Sequence, residues 1–211
     1  MNLKFTKSKS IDMIPEKPTT ASIGKKMETM DLTTLEKPSI NKGSRGQKLE
    51  RNLDLTNNSE LLDLKDGDLK SSTLGQSQAV TLLSHCLPDI IDKNTHFRET
   101  KVGIKLKNQI ICIFDKEGNH LSNKTSLDYG GFGEEFIQDY DFIASEIRGA
   151  YHNNQQLKTI NGPNKYLQIR TKASKNKAGG YTPLMYNGVQ LKDKGMAFYL
   201  TAKFLRYKFA K

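Results

Sequence analysis

Residues 165–173 read KYLQIRTKA, and this short stretch carries the clearest structural pattern in the chain. Apolar and polar side chains alternate through it, which is typical of a β-strand because successive side chains point to opposite faces. Leu167 and Ile169 fall on one face. The opposite face carries four larger or charged side chains: Tyr166, Gln168, Arg170 and Lys172. The pattern predicts a strand that displays two basic groups on one side.

The net charge of the chain is concentrated around this strand. The 211 residues include 33 Lys or Arg and 23 Asp or Glu, for a formal net charge of +10. Residues 165–211 hold eleven of the basic residues and one acid, Asp193, so the remainder of the chain is neutral. A neutral body with a basic C-terminal segment predicts a face that binds a polyanion such as nucleic acid. A lysine-rich surface that only confers solubility has the same composition.

Other features of the composition exclude several classes of protein. The sequence has no apolar run of about 18 residues, so it predicts no membrane-spanning helix. Its first 20 residues lack the apolar core of a secretory signal. Cys86 and Cys112 are too few for a disulfide framework and match no zinc-site spacing, so we expect two buried thiols in a reducing compartment. These features predict a soluble cytoplasmic protein.

The chain divides by composition into an arm and one domain. Residues 1–36 are polar and rich in Lys, Thr and Pro, which predicts a mobile basic arm with one weak helical stretch. Residues 37–211 form the predicted domain, of α/β class. We expect strands at 60–65, 68–74 and 102–115, a long amphipathic helix with a solvated acidic face at 131–153, and a strand followed by a helix at 196–209. Leu49 and Leu53, one turn apart, indicate a further helix.

The stretch DLKDGDLKSS, residues 63–72, is a candidate site for phosphodiester chemistry. Asp66-Gly67 is a hairpin-turn signal, and such a turn would bring the carboxylates of Asp63 and Asp68 together. Asp68 and Lys70 share a face if residue 68 begins a strand. Two carboxylates suit Mg²⁺, and a neighbouring lysine can hold water or stabilise developing negative charge. A solvated surface hairpin has the same pattern, so this stretch alone does not decide between the two.

Five motifs occur together in one order: NKGSRGQKLE (41–50), DLK (68–70), GIKLKNQIICIF (103–114), KYLQIRTKASKNKA (165–178) and AFYLTAKFL (197–205). In that order they resemble the MutH family of DNA endonucleases, which contains the mismatch-repair nickase and related type II restriction enzymes that act at GATC. The resemblance covers roughly residues 36–211. It implies a PD-(D/E)xK nuclease fold, in which a mixed central sheet is flanked by helices and two lobes surround a DNA cleft.

The resemblance also implies an active site. Asp68 matches the second acid of the (D/E)xK signature, although this position is more often Glu, and Lys70 matches its lysine. Lys105 matches a further active-site lysine, and Glu50 matches a helix acid that supports the metal site. The family spacing falls on Leu61, so we assign the first acid to Asp63, with Glu60 and Asp66 as alternatives. In this interpretation Asp63, Asp68 and Glu50 hold Mg²⁺.

The family's DNA contacts map onto the C-terminal half and one N-terminal lysine. Arg170 and Lys172 match the strand that faces the recognition bases, where Arg suits guanine and Lys suits a base or a phosphate. Thr171 stands between them where the family has proline. Tyr199 matches an aromatic residue near the adenine whose methylation some members sense. Lys42 matches a lysine that approaches DNA from the N-terminal lobe.

The function that this resemblance implies is Mg²⁺-dependent hydrolysis of double-stranded DNA at a short site, with GATC as the expected site. The products would be a 5′-phosphate and a 3′-hydroxyl. A restriction-type enzyme that dimerises on DNA is the first interpretation. A repair nickase activated by a MutL-type partner is the second, and a DNA-binding protein without catalytic activity is the third.

Overall fold

The fold is built from helices and strands that alternate along the chain. A computed structural model describes residues 16–32, 35, 44–55, 61–124, 133–173, 175 and 178–209. The helices are α1 (Thr20–Glu28), α2 (Ser44–Asn52), α3 (Lys101–Lys107), α4 (Glu134–His152) and α5 (Ala202–Phe209). The strands are β1 (Asp68–Thr73), β2 (Gln78–Leu82), β3 (Gln109–Phe114), β4 (His120–Lys124), β5 (Ile160–Asn161), β6 (Leu167–Thr171), β7 (Leu184–Tyr186), β8 (Val189–Lys192) and β9 (Met196–Leu200). Within the described ranges, no helix combines the length and the apolar character that crossing a membrane requires.

The strands are divided between three sheets. The first has the order β1-β3-β4, with β1 parallel to β3 and β4 antiparallel to it. The second has the order β2-β9-β6-β5 and is antiparallel, and the third is the β7-β8 hairpin. The predicted α/β class is confirmed. Within the described ranges the strands lie in three sheets, of which the first is mixed.

Strand β3 separates two hydrophobic cores because it is buried on both faces. Ile111 and Ile113 belong to the larger core, which lies between α4 and the second sheet. Ile110, Cys112 and Phe114 point the other way, into a smaller core formed with α1 and α2. A strand buried on both sides reads as a continuous apolar run, as QIICIF does. Cys86 and Cys112 are free and buried, as predicted, and burial raises the pKa of each thiol to about 12.

The segment predicted as one strand over 102–115 is a helix followed by a strand. Helix α3 occupies Lys101–Lys107, and β3 begins only at Gln109. The hydroxyl of Thr100 caps the helix by accepting a hydrogen bond from Gly103 N at 3.1 Å. The helix also packs closely on the preceding turn, where a Cβ at Gly103 would lie 2.0 Å from the carbonyl oxygen of Phe97. These local contacts outweigh the β-branched composition of the segment.

The hairpin predicted at Asp66-Gly67 is present only as a turn, in which Leu64 N donates to the Gly67 carbonyl oxygen at 2.9 Å, without strand pairing. Residues 61–66 form bends rather than a strand, and β1 pairs with β3 instead of with the preceding residues. Glycine is needed at position 67 because the backbone there passes close to the backbone of Asn108, rather than because of a hairpin turn. A Cβ there would lie 2.1 Å from the carbonyl oxygen of Asn108. Asp68 N donates to that same carbonyl at 3.0 Å, which aligns the start of β1 with the start of β3.

The structure describes residues 16–32 and 35 of the predicted N-terminal arm. Ile23 and Met27 of α1 are buried in the smaller core, together with Leu32 and Leu35. The helix is tied to the sheet where it begins, because Thr20 N donates to Asp66 Oδ1 at 2.7 Å. The weak helical stretch predicted in this region is therefore a packed helix. Residues 1–15 lie outside the described residues.

Helix α4 confirms the long helix predicted from periodicity. Phe136, Tyr140, Ile143 and Ile147 are buried along one face. The acidic residues of this helix were expected to be solvated, and Asp139 is the exception. Its buried carboxylate accepts hydrogen bonds from the backbone N–H groups of residues 164, 166 and 167 at 2.7–2.8 Å. These bonds fix the turn from which β6 starts.

Candidate active site

A lysine between two aspartates forms the centre of the candidate site. Lys70 Nζ lies 2.9 Å from Asp63 Oδ2 and 2.8 Å from Asp68 Oδ2. The Asp68 side chain is completely buried, whereas 32% of the Asp63 side chain is exposed. Backbone contacts hold the pair together, since Asp63 N donates to Asp68 Oδ1 at 3.3 Å and Leu69 N donates to Asp63 Oδ2 at 3.2 Å. The predicted approach of the two carboxylates is therefore present, although no hairpin produces it.

The register of the first sheet brings a second lysine to the same carboxylate. Asp68 is the first residue of β1 and lies opposite Gln109, the first residue of β3. The residues just before β3 belong to α3 and therefore lie beside Asp68. From that helix, Lys105 Nζ reaches Asp68 Oδ2 at 3.3 Å. The parallel pairing of β1 and β3 thus gives the buried carboxylate of Asp68 two ammonium partners, Lys70 and Lys105.

The charges in this cluster shift each other's pKa values. Burial alone would raise the pKa of Asp63, but its hydrogen bond with Asp68 and the Lys70 ammonium outweigh burial and lower it to about 2. Burial raises the pKa of Asp68 despite the opposing charge of Lys70. Burial would lower the pKa of Lys70, but the two carboxylates raise it. Lys70 is therefore a fixed cation, and Asp63 is a carboxylate that stays ionised at neutral pH.

Glu50 approaches the aspartate pair from α2 without joining it. Its half-buried carboxyl has a raised pKa, first because of burial and then because of the negative charge of Asp63. Within the described ranges, no cluster of three or more Asp, Glu, His or Cys side chains is close enough to hold a metal ion. The predicted three-carboxylate set is thus represented by two, Asp63 and Asp68. Two carboxylates fit Mg²⁺, which is bound by one or two such groups and keeps several waters.

A cleft of about 580 Å³ opens beside Lys70 and is strongly basic. Strand β2 forms one wall, and the ionisable lining consists of four lysines and one histidine: Lys70, Lys101, Lys105, Lys172 and His85. None of the residues that line it, among those the structure describes, is an aspartate or a glutamate. Partial burial and the neighbouring charges of Lys70 and Lys105 lower the pKa of Lys172. The cleft is therefore an anion-attracting space that reaches Lys70, the lysine between the two aspartates.

Arg170 and Tyr199 form a separate pair on the second sheet. The Arg170 guanidinium lies 4.2 Å from the centroid of the Tyr199 ring, within the range of a cation–π contact. The predicted alternation in β6 is confirmed, because Leu167 and Ile169 are fully buried. Gln168 lies opposite Tyr199 in the β6–β9 register, so the three side chains share one face. The ring holds the arginine head group in place.

Among the predicted site residues that the structure describes, Asp66 is not part of the cluster. Lys42 and Glu60 lie outside the described residues. The carboxylate of Asp66 accepts hydrogen bonds from the hydroxyl of Thr20 at 2.9 Å and from Asn108 Nδ2 at 3.1 Å. Asp66 therefore connects α1 to the sheet, whereas Asp63 is the acid beside Lys70.

Sequence reasoning missed two residues of the cleft, Lys101 and His85. Lys101 lies four residues before Lys105 on α3, so both side chains fall on one face of the helix. Thr100 is a helix N-cap residue, and this signal could have identified the helix and the lysine pair. His85 ends the 3-10 turn Leu83–His85 that follows β2. No sequence signal marks this histidine.

Comparisons with known proteins add no relative for this site. No protein-family model matches the chain, and no curated protein matches it. Support for a function comes from the side-chain geometry described above and from the motifs quoted from the sequence.

Proposed function

We propose that the chain is a Mg²⁺-dependent DNA endonuclease that hydrolyses a phosphodiester at a short site. The observation that carries this proposal is the position of Lys70 Nζ, 2.8–2.9 Å from both aspartates at the end of a basic cleft. Paired carboxylates with an adjacent lysine provide the groups that phosphodiester hydrolysis needs, since they can hold a metal ion and stabilise developing charge. The resemblance to MutH-type nucleases in five collinear motifs points the same way.

The roles of the residues follow from their contacts. Asp63 and Asp68 would hold Mg²⁺, which would supply the positive charge that polarises the phosphate. Lys70 is held by both carboxylates and donates to the Leu69 carbonyl oxygen at 3.0 Å, so its ammonium would act as a fixed positive charge that stabilises negative charge developing on the phosphate. Lys105 contributes a second positive charge beside Asp68. Glu50 supports the acidic side of the site through its negative charge.

The DNA duplex is proposed to enter through the basic cleft. The walls of the cleft include residues of β1 and α3 on the one hand and of β2 on the other. We infer that these walls correspond to the two lobes that the resemblance to a PD-(D/E)xK nuclease implies. Arg170, held by Tyr199, is the proposed reader of a guanine, because a fixed guanidinium can contact O6 and N7 together. Lys172 lines the same cleft as Lys70 and Lys105, whose charges affect its pKa, and its ammonium suits a phosphate.

The test is cleavage of supercoiled plasmid that is unmethylated, hemimethylated or fully methylated at GATC. Linear fragments with ends at one short motif would support a restriction-type enzyme, and mapping those ends gives the site. Open circles alone, increased by a MutL protein with ATP, would instead support a repair nickase. Intact supercoils with Mg²⁺ and with Mn²⁺, together with salt-sensitive binding, would overturn the nuclease proposal in favour of a DNA-binding protein.

A further inference from the structure

The basic cleft is lined by two ionisable side chains that the proposed hydrolysis does not use. They are Lys101 and His85, which line the cleft together with residues of β2. Lys101 and Lys105 lie one turn apart on the same face of α3, with Cβ atoms about 5–6 Å apart for such a pair. Lys105 faces Asp68, and Lys101 extends the row of positive charge away from it.

No acid in the described part of the chain compensates Lys101 or Lys172. The ion pairs there involve other lysines, and Lys70 and Lys105 take the two contacts to Asp68. The effect of Lys70 and Lys105 on the pKa of Lys172 indicates mutual repulsion across the cleft. An anion between these lysines would relieve that repulsion, and the cleft volume of about 580 Å³ leaves room for it.

We propose that Lys101, His85 and Lys172 form a second phosphate-binding subsite, which holds a backbone phosphate next to the one attacked beside Lys70. This inference rests on the proposed endonuclease function, because it assigns the substrate's neighbouring phosphate to the cleft. The ammonium groups bind the phosphate by charge, and the imidazole donates a hydrogen bond. The subsite orients the strand along the cleft and carries no sequence information.

Binding of a fluorescently labelled DNA duplex by anisotropy, without divalent metal, tests the subsite. The variants are Lys101→Ala, Lys172→Ala and His85→Ala, and Lys101→Arg serves as the conservative rescue. Lys107→Ala is the matched control, since Lys107 is an exposed lysine of the same helix that does not line the cleft. Each protein is titrated at several salt concentrations between about 50 and 200 mM, and urea unfolding confirms that each is folded.

Loss of one phosphate contact reduces the slope of log Kd against log salt by about 0.9. We expect this reduction for Lys101→Ala and for Lys172→Ala, with the wild-type slope in Lys101→Arg and Lys107→Ala. We expect His85→Ala to weaken binding severalfold. An unchanged slope in Lys101→Ala, from a protein that still cleaves plasmid, would overturn the subsite alone. A slope that depends on Lys101, from a protein that never cleaves, would overturn the endonuclease and leave a DNA-binding subsite. Absence of duplex binding by the wild-type protein would overturn both.

Discussion

Asp63 Oδ2 accepts a hydrogen bond from Lys70 Nζ at 2.9 Å, seven residues along the chain and without a hairpin between them. The contact forms because residues 61–66 bend back over the start of β1, where Leu69 N donates to the same carboxylate oxygen. It distinguishes Asp63 from Asp66, whose carboxylate faces α1. The two acids are three residues apart and have different neighbours, so their substitutions should have different effects.

Substitution of the two acids separates chemistry from folding. We expect Asp63→Ala to reduce plasmid cleavage by about 10²–10³-fold, the order of loss when one group that stabilises a transition state is removed. Asp66→Ala should retain cleavage but lower the free energy of unfolding by about 1–3 kcal/mol, because it leaves buried donors of Thr20 without their acceptor. Cleavage rates and urea unfolding of both variants provide the check. A loss of cleavage in Asp66→Ala, with Asp63→Ala still active, would reverse the assignment.

Acid should remove the stability that Asp63 contributes. Its pKa falls from 3.8 to about 2 in the folded protein, so the ionised form stabilises the fold at every pH above about 4. That contribution is lost as the pH falls from about 4 to about 2, where the folded carboxyl also binds a proton. We expect the difference in unfolding free energy between the wild type and Asp63→Asn to shrink over this range, as measured by urea titrations. A difference that stays constant from pH 5 to pH 2 would contradict the assigned Lys70 contact.

Two glycines should respond to alanine in opposite directions. Gly67→Ala places a Cβ 2.1 Å from the Asn108 carbonyl oxygen, which must move β1 away from the start of β3. We expect a loss of at least about 1–3 kcal/mol of unfolding free energy, as for other overpacked positions. Gly24→Ala is the control, because no atom lies within 4 Å of the new Cβ in α1. It should stabilise the protein by about 0.5–1 kcal/mol. Thermal and urea unfolding test both variants, and equal effects would refute the close approach at Gly67.

Arg170 should control the choice of DNA site rather than the rate of hydrolysis. A bidentate contact between arginine and guanine contributes about 1–3 kcal/mol of discrimination between bases. Arg170→Ala should therefore reduce, by about 1–3 kcal/mol, the preference for the recognition site over a DNA duplex in which one base pair of that site is changed. The ratio of cleavage rates on the two duplexes measures the effect. Arg206→Ala, an exposed arginine of α5, should leave the ratio unchanged. A wild-type ratio of cleavage rates in the Arg170→Ala protein would show that Arg170 does not read a base.

The sequence patterns predicted correctly those elements in which the periodicity of apolar residues matches the burial of their side chains. The alternation in residues 165–173 corresponds to β6, and the periodicity of Phe136, Tyr140 and Ile143 corresponds to α4. In both cases one face is buried and the other is exposed, so the period in the sequence matches the environment. The approach of Asp63 to Asp68 was also predictable, since only four residues separate them.

A helix cap and close packing of the backbone decided the elements that the predictions missed. Residues 101–107 look like the start of a strand, but the Thr100 cap and the packing of Gly103 on the Phe97 carbonyl make them helical. The pair Asp66-Gly67 is typical of a hairpin turn. In the structure, however, glycine is needed at position 67 because a Cβ there would lie 2.1 Å from the Asn108 carbonyl oxygen. The role of Asp139 could not be predicted from the sequence. Its carboxylate accepts hydrogen bonds from backbone N–H groups that lie 25 to 28 residues further along the chain.

The most direct test of the central claim is the Mg²⁺-dependent cleavage of plasmid by the wild type and by Lys70→Ala, side by side. Lys107→Ala serves as the matched lysine control, and duplex binding without metal shows whether each protein still holds DNA. We predict cleavage by the wild type and by Lys107→Ala, and a loss of about 10²–10³-fold or more in Lys70→Ala with most of the DNA affinity retained. Cleavage by Lys70→Ala at the wild-type rate would contradict the assignment of Lys70, Asp63 and Asp68 as the active site.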